Sequence, residues 1–286
     1  MPGHIQIKGH FDLDATLQSG QTFRWRKEHD CYTGVIFGNF VLIKPTVDGL
    51  EFTSFPETED AFIIRLSNYL GLDDDLGAIY QSICVDDHLK SVVDRYLGMR
   101  ILRQDPWECL VSFICSAWSN VNRVSRIVEN LSSRFGQPIL VDGNIRAAFP
   151  AAEELASTDE QTLRSLGLGF RAKYIIASSR HVAEGRIDLT SLRNAPFEKV
   201  LDTISSLPGI GDKVANCIML FSLGQRSAFP VDLWIRRVLS EQYLGDEGSK
   251  MSMPMVRRWA QDYFGPYAGY ANHYLFHGRR LAGRRT

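Results

Sequence analysis

The chain lacks any apolar run approaching the roughly 20 residues that a membrane span needs, and its first residues, MPGHIQIKGH, lack the apolar centre of a signal peptide. The expectation is an intracellular protein, in cytoplasm or nucleoid if the source is prokaryotic. Paired cysteines are missing too. Cys31, Cys84, Cys109, Cys115 and Cys217 are odd in number and include no C-x-x-C pair, which fits neither a disulfide framework nor a zinc or iron–sulfur site. Free thiols in a reducing compartment follow. Nor does one sign of charge dominate: 32 basic and 33 acidic residues leave a net −1 over 286 residues, which disfavours a partner held by bulk electrostatics. That balance is an average, however. Residues 1–99 hold 8 basic and 15 acidic side chains, and residues 100–286 hold 24 and 18. From Arg257 onward six arginines accompany Asp262 alone, and such asymmetry points to a polyanionic partner for the second part.

What is present divides the same way. Residues 21–26, 32–37, 40–44 and 50–55 alternate as strands do, with Gly38-Asn39 and Asp48-Gly49 as two-residue hairpin turns. Residues 59–70 and 74–98 space their apolar side chains at three and four. Asp73-Asp74-Asp75 reads as a solvated, dipole-stabilised helix start rather than a metal site. Residues 1–99 are therefore expected to form an antiparallel sheet domain with covering helices, and residues 100–286 a mainly α-helical body, an α+β fold overall. In the second part, Asp105-Pro106-Trp107-Glu108 offers a cap, a proline and an acid ahead of a face made by Leu110, Val111, Phe113, Ile114, Ala117 and Trp118. Thr158-Asp159-Glu160-Gln161 repeats the arrangement, and Gly167 and Gly169 break the helix before another starts near Arg171.

The most informative loop is Leu207-Pro208-Gly209-Ile210-Gly211, between two amphipathic helices at about 196–224. Gly209 and Gly211 let backbone N–H groups approach an anion, and the positive dipole end of the second helix starts there, so phosphate is the natural ligand. A tight corner that binds nothing is the plain alternative. With Asp212-Lys213-Val214-Ala215 following, the pattern is that of a helix-hairpin-helix. Such a motif grips DNA backbone, often with Na+ or K+ on loop carbonyls, here those of Ser205, Leu207 and Ile210. Nineteen residues after Lys213, a short apolar run Phe229-Pro230-Val231 ends in Asp232, placed to cap the next helix. Taken singly, Lys213 is a solvated helix lysine and Asp232 an ordinary cap; together they can converge on one pocket.

These residues resemble the helix-hairpin-helix (HhH-GPD) superfamily of base-excision DNA glycosylases, and within it the 8-oxoguanine DNA glycosylase/AP lyase family. The resemblance is carried by 19–25 (SGQTFRW), by 105–116 (DPWECLVSFICS), by 166–172 (LGLGFRA) and by 213–217 (KVANC). It implies that Lys213 attacks C1′ of the damaged nucleotide, expels the base and forms a Schiff base, with Asp232 stabilising the oxocarbenium-like sugar. Gly20 stands where a backbone carbonyl accepts the N7–H that only the oxidised purine carries. Cys217 and Phe276 match the pair that sandwiches the flipped base, and Asn272 stands where glutamine usually reads its Watson–Crick edge. Core packing is the plain alternative for Cys217 and Phe276.

Arg123 and Arg171 match arginines that bond the orphaned cytosine, and Phe170 matches a wedge in the stack. The chain departs from the pattern at Trp118-Ser119-Asn120, where relatives place an asparagine in the vacated space. Trp118 either fills that gap by stacking, which tolerates any opposite base, or merely continues its helix face. Trp234 replaces a histidine near the 5′ phosphate. The implied partner is double-stranded DNA carrying 8-oxoguanine, bound by a monomer that requires no cofactor and has no iron–sulfur cluster. The alternatives are a glycosylase for another lesion and a non-catalytic damaged-DNA-binding module.

Overall fold

Five strands, β1 (Gly3–Gln6), β2 (Arg26–Glu28), β3 (Cys31–Ile36), β4 (Asn39–Pro45) and β5 (Gly49–Phe55), form one antiparallel sheet in the order β1-β5-β4-β3-β2. The computed structural model describes residues 2–282; Met1 and residues 283–286, with Arg284 and Arg285 of the C-terminal arginine group, lie outside the described residues. The β3–β4 turn is made by Phe37 and Gly38, both with positive φ (49° and 75°), the left-handed pair that a tight hairpin needs. This is one residue ahead of the expected turn, because Asn39 starts β4 and uses Nδ2 to hold the Phe37 carbonyl at 3.1 Å. Gly49 likewise begins β5. β1, which the alternation did not disclose, pairs with β5.

Residues 21–25 are not a strand, and Gln21 explains why. Its Nε2 donates to the carbonyls of Thr16 and Arg100, both at 2.9 Å, and its Oε1 accepts from the Leu102 N–H at 2.8 Å. The Gln104 side chain returns a bond to the Gln21 carbonyl at 2.7 Å. One buried amide thus satisfies backbone groups that a strand ladder would otherwise pair, and it ties the 19–25 segment to the crossover at 100–104.

Helix Glu59–Tyr69 covers the sheet, packing Phe62, Leu66 and Tyr69 with Val41, Ile43, Leu50 and Phe52. Helices Leu76–Ile83 and Asp87–Arg95 behave differently from expectation. Their Leu76, Ile79, Ile83, Leu89 and Val93 enter the larger core of the helical part instead. That core surrounds helix Asp212–Ser222, whose residues from Val214 to Ser222 are all buried. A helix apolar all round belongs at a centre rather than a surface.

The triple acid is a solvated helix start only in part, since Asp73 and Asp75 are exposed and Asp74 is buried. Only Asp75 caps, accepting from the Ala78 N–H at 3.0 Å. Asp73 pairs with Arg103 at 2.7 Å, and buried Asp74 accepts from Arg103 at 2.9 Å, from Arg226, and from the Tyr270 hydroxyl at 2.7 Å. Two arginines and a phenol arriving from distant segments draw it inward. Of Thr158-Asp159-Glu160-Gln161, the cap is Asp159, which accepts from the Thr162 N–H at 2.8 Å.

Candidate active site

The hairpin runs from helix Phe197–Ser205 through Gly209 and Gly211 into helix Asp212–Ser222. Gly209 has φ +82°, and a Cβ there would lie 2.5 Å from the Tyr174 ring, so both conformation and space demand glycine. Gly211 is the N-cap, exposed, with no atom within 4 Å of where a Cβ would stand.

Lys213 lies in the first turn of this helix with Nζ 5.6 Å from the centroid of the Phe113 ring. One turn on is Cys217. Burial pushes the Cys217 thiol up, the Lys213 ammonium beside it pulls it part of the way back, and the Asp232 carboxylate adds a smaller upward push. The three groups therefore act on one another across a single space.

Asp232 reaches that space because its chain segment is pinned twice. Asn216, fully buried, accepts the Phe229 N–H on Oδ1 at 3.2 Å and donates to the Asp212 carbonyl at 2.8 Å. Asn272 donates from Nδ2 to the Pro230 carbonyl at 2.9 Å. Asp232 then caps helix Leu233–Leu239, accepting from the Ile235 N–H at 2.8 Å.

Between these elements lies a pocket of about 410 Å³ including its open mouth, lined by Gly20, Phe113, Lys213, Cys217, Phe221, Asp232, Asn272, His273 and Phe276 among others. Its wall comes from the 19–21 loop, from Phe113 of helix Pro106–Ser116, from helix Asp212–Ser222, from the Pro230–Asp232 run and from helix Ala268–Ala282. Gly20 has φ +93°, and a Cβ there would stand 2.9 Å from the Arg280 guanidinium and 3.7 Å from the Phe276 ring. A larger space of about 1080 Å³ adjoins it, sharing Gly20, Phe113, Lys213, Asp232 and Phe276 and adding Ser119, Asn120 and Trp234.

The outer residues divide. Helix Pro106–Ser116 ends before Ala117, and Trp118 sits in a left-handed turn (φ +52°) with 91% of its surface exposed. It does not continue the helix face. Asn120 caps helix Val121–Phe135 by accepting the Arg123 N–H at 3.0 Å, and the Arg123 side chain is exposed. Phe170 is 44% exposed. Arg171 departs from expectation: it is buried, and its guanidinium serves the main-chain carbonyls of Ala117, Trp118 and Leu168 rather than facing outward. Desolvation holds its pKa below the usual arginine range.

The sequence reading did not single out His273, whose Nε2 is buried without a hydrogen-bond partner, or the pinning role of Asn216, and it placed Asn272 at the base edge without its bond to Pro230. Among the described residues no group of three or more His, Cys, Asp or Glu is placed to hold a metal ion. No helix there is long and apolar enough to cross a membrane.

Family comparisons cover nearly the whole chain. Residues 4–110 match the model of the 8-oxoguanine DNA glycosylase N-terminal domain, and residues 111–261 that of the HhH-GPD superfamily base excision DNA repair protein. The chain is 32% identical to the N-glycosylase/DNA lyase of Arabidopsis thaliana, covering 92% of this chain and 76% of that one. It is 34% identical to the N-glycosylase/DNA lyase of Saccharomyces cerevisiae, covering 82% and 69%. The solved 8-oxoguanine glycosylase/lyase of Clostridium acetobutylicum, in complex with double-stranded DNA containing cytosine opposite 8-oxoguanine, superimposes with a TM-score of 0.91 at 30% identity, covering 99% of this chain and 98% of that one. With both halves matched in order, the chain belongs to the 8-oxoguanine DNA glycosylase family of the HhH-GPD base-excision repair superfamily.

Proposed function

We propose that this protein is a bifunctional DNA glycosylase and AP lyase that extrudes 8-oxoguanine from duplex DNA into the pocket between the 19–21 loop and helix Ala268–Ala282. The observation that carries the reading is the meeting of Gly20, Lys213, Cys217, Asp232 and Phe276, from four separate chain segments, around one pocket.

In this reading the Lys213 ammonium gives up one proton, its amine bonds to C1′ as the C1′–N9 bond breaks, and the base leaves with the electron pair and takes up that proton. Asp232 balances positive charge at the sugar while that bond is long. Ring opening converts the adduct to a Schiff base, which acidifies the C2′ proton. Its removal expels the 3′ phosphate, and water returns Lys213. Cys217 and Phe276 flank the base, and the Gly20 carbonyl accepts the N7–H that guanine lacks.

Outside the pocket, Gly209 and Gly211 present N–H groups to a backbone phosphate, with any bound Na+ or K+ on the carbonyls of Ser205, Leu207 and Ile210. Arg123 and Asn120 face the opposite strand, Trp118 and Phe170 enter the stack, and Trp234 borders the 5′ side. Arg171 supports this from behind by holding the turn that carries Trp118. The enzyme works as a monomer on DNA inside the cell, in cytoplasm or nucleoid.

The test is borohydride trapping on a duplex with a single 8-oxoguanine. The wild type forms a covalent adduct and Lys213→Gln forms none. Trapping only at other lesions would make it a different glycosylase, and tight binding without an adduct at any lesion a recognition module.

A further inference from the structure

Asn272 is expected at the Watson–Crick edge of the extruded base, but one N–H of its amide is held by the Pro230 carbonyl at 2.9 Å, and asparagine is one methylene shorter than glutamine. The next residue is differently placed. His273 is 2% exposed, lines the pocket, and has a buried Nε2 with no hydrogen-bond partner. Residues 272, 273 and 276 fall within an arc of about 100° on their helix, so His273 shares the face that carries Phe276. Its ring stands edge-on to Phe221, centroids 5.4 Å apart, and Phe221 stacks on Phe113 at 5.5 Å. His273 thus brings to the pocket lining one buried polar atom without a partner.

A buried polar atom without a partner is costly, and in a folded protein it calls for a function or a ligand. A purine edge supplies what is missing, since it offers donors at N1 and N2 and an acceptor at O6, whereas neutral imidazole offers one donor and one acceptor. Burial, with the Arg280 guanidinium as a positive neighbour, keeps this imidazole in its neutral form.

We propose that His273, rather than Asn272 alone, reads the Watson–Crick edge of the extruded purine, while Asn272 positions the Pro230–Asp232 segment that carries the catalytic carboxylate. The assignment rests on the pocket being the base site of a glycosylase. It adds a specificity-determining residue and makes Asn272 chiefly a positioning residue.

Two rates measured on the same protein test it: single-turnover release of 8-oxoguanine, and strand cleavage at a preformed abasic site, where no base is present to be read. Removing one neutral hydrogen bond is worth about a tenfold change, so His273→Leu is expected to lower the ratio of release to cleavage about tenfold. His273→Gln, whose Nε2 falls near the imidazole Nε2, is expected to recover much of it. Partial unfolding scales both rates and cancels in the ratio. An unchanged ratio in His273→Leu, or no better ratio in His273→Gln, overturns the assignment. The wild-type release rate, measured alongside, separates a failure of this assignment from a failure of the glycosylase reading.

Discussion

Arg171 holds the turn that exposes Trp118: Nε donates to the Ala117 carbonyl at 2.9 Å and Nη2 reaches the Trp118 carbonyl at 3.1 Å. The guanidinium also lies 4.6 Å from the centroid of the Phe170 ring, so one buried cation supports both exposed aromatics. Arg171→Ala leaves those carbonyls without donors and removes the packing beneath Phe170. A loss of about 2–3 kcal/mol is expected in urea unfolding. Faster depolarisation of Trp118 fluorescence, read in a background lacking the other four tryptophans, is the local sign, and an unchanged anisotropy would refute the supporting role.

Trp118 itself is fixed in position but touches little, as its 91% exposure shows. An indole entering the gap left by an extruded nucleotide stacks on either neighbour without reading the base opposite. Trp118→Asn restores a group able to hydrogen-bond that base. Its expected effect is a severalfold rise in the rate of excision opposite cytosine relative to that opposite adenine. Equal ratios in the two proteins would count against the stacking role.

The hairpin glycines, Lys213 and the Asp232 cap were legible because each is a local pattern. Gly20 came from the resemblance alone; its φ of +93° and the Arg280 guanidinium 2.9 Å from where a Cβ would stand, from a residue more than 250 positions away in the chain, belong to the fold. What local pattern could not disclose were side chains serving distant backbone. Gln21 reads as one residue of a strand until its three bonds to Thr16, Arg100 and Leu102 are seen. Arg171 reads as an outward arginine until carbonyls from a different helix end surround it. Asn216 and His273 interrupt helical stretches in which polar residues carry no signature of what they face, and Asn272, which the resemblance placed at the base edge, also holds the Pro230 carbonyl. The turn at Phe37 was displaced by one residue because Asn39, a favoured turn residue, is used for its side chain instead.

Asp74 shows the same principle in the core. Its carboxylate, 3% exposed, takes Arg103, Arg226 and the Tyr270 hydroxyl, thereby tying the start of helix Leu76–Ile83 to the crossover and to helix Ala268–Ala282. Asp74→Ala leaves the buried Tyr270 hydroxyl without its acceptor and takes one partner from Arg103, which keeps Asp73, and from Arg226, which is 44% exposed. Leaving a buried donor unpaired costs about 1–3 kcal/mol, measurable as a lower denaturant midpoint. A shift below about 1 kcal/mol would mean that the network contributes no more than a surface ion pair does.

The buried histidines give stability a pH dependence with a defined sign. Desolvation, with His277 and Arg280 as positive neighbours, lowers the pKa of His273 to about 3, and desolvation with Arg280 lowers that of His277, packed edge-on to Tyr96, to about 4. Between these values and the ordinary 6.5 the unfolded chain binds protons that the folded chain refuses. Their stabilisation is therefore complete above pH 6.5 and is lost as pH falls toward 4, by an amount on the order of 2–3 kcal/mol each. Glu108 opposes them: desolvation raises its carboxyl to about 7 despite Arg24, so its folded form holds a proton between about 4.5 and 7 and its contribution fades as pH rises. Comparing His273→Leu with the wild type removes the Glu108 contribution, which is common to both. The variant is expected to gain in Tm relative to the wild type as the pH is lowered from 7 to 4, and a Tm difference independent of pH would show that His273 is protonated as readily in the folded protein as in the unfolded chain.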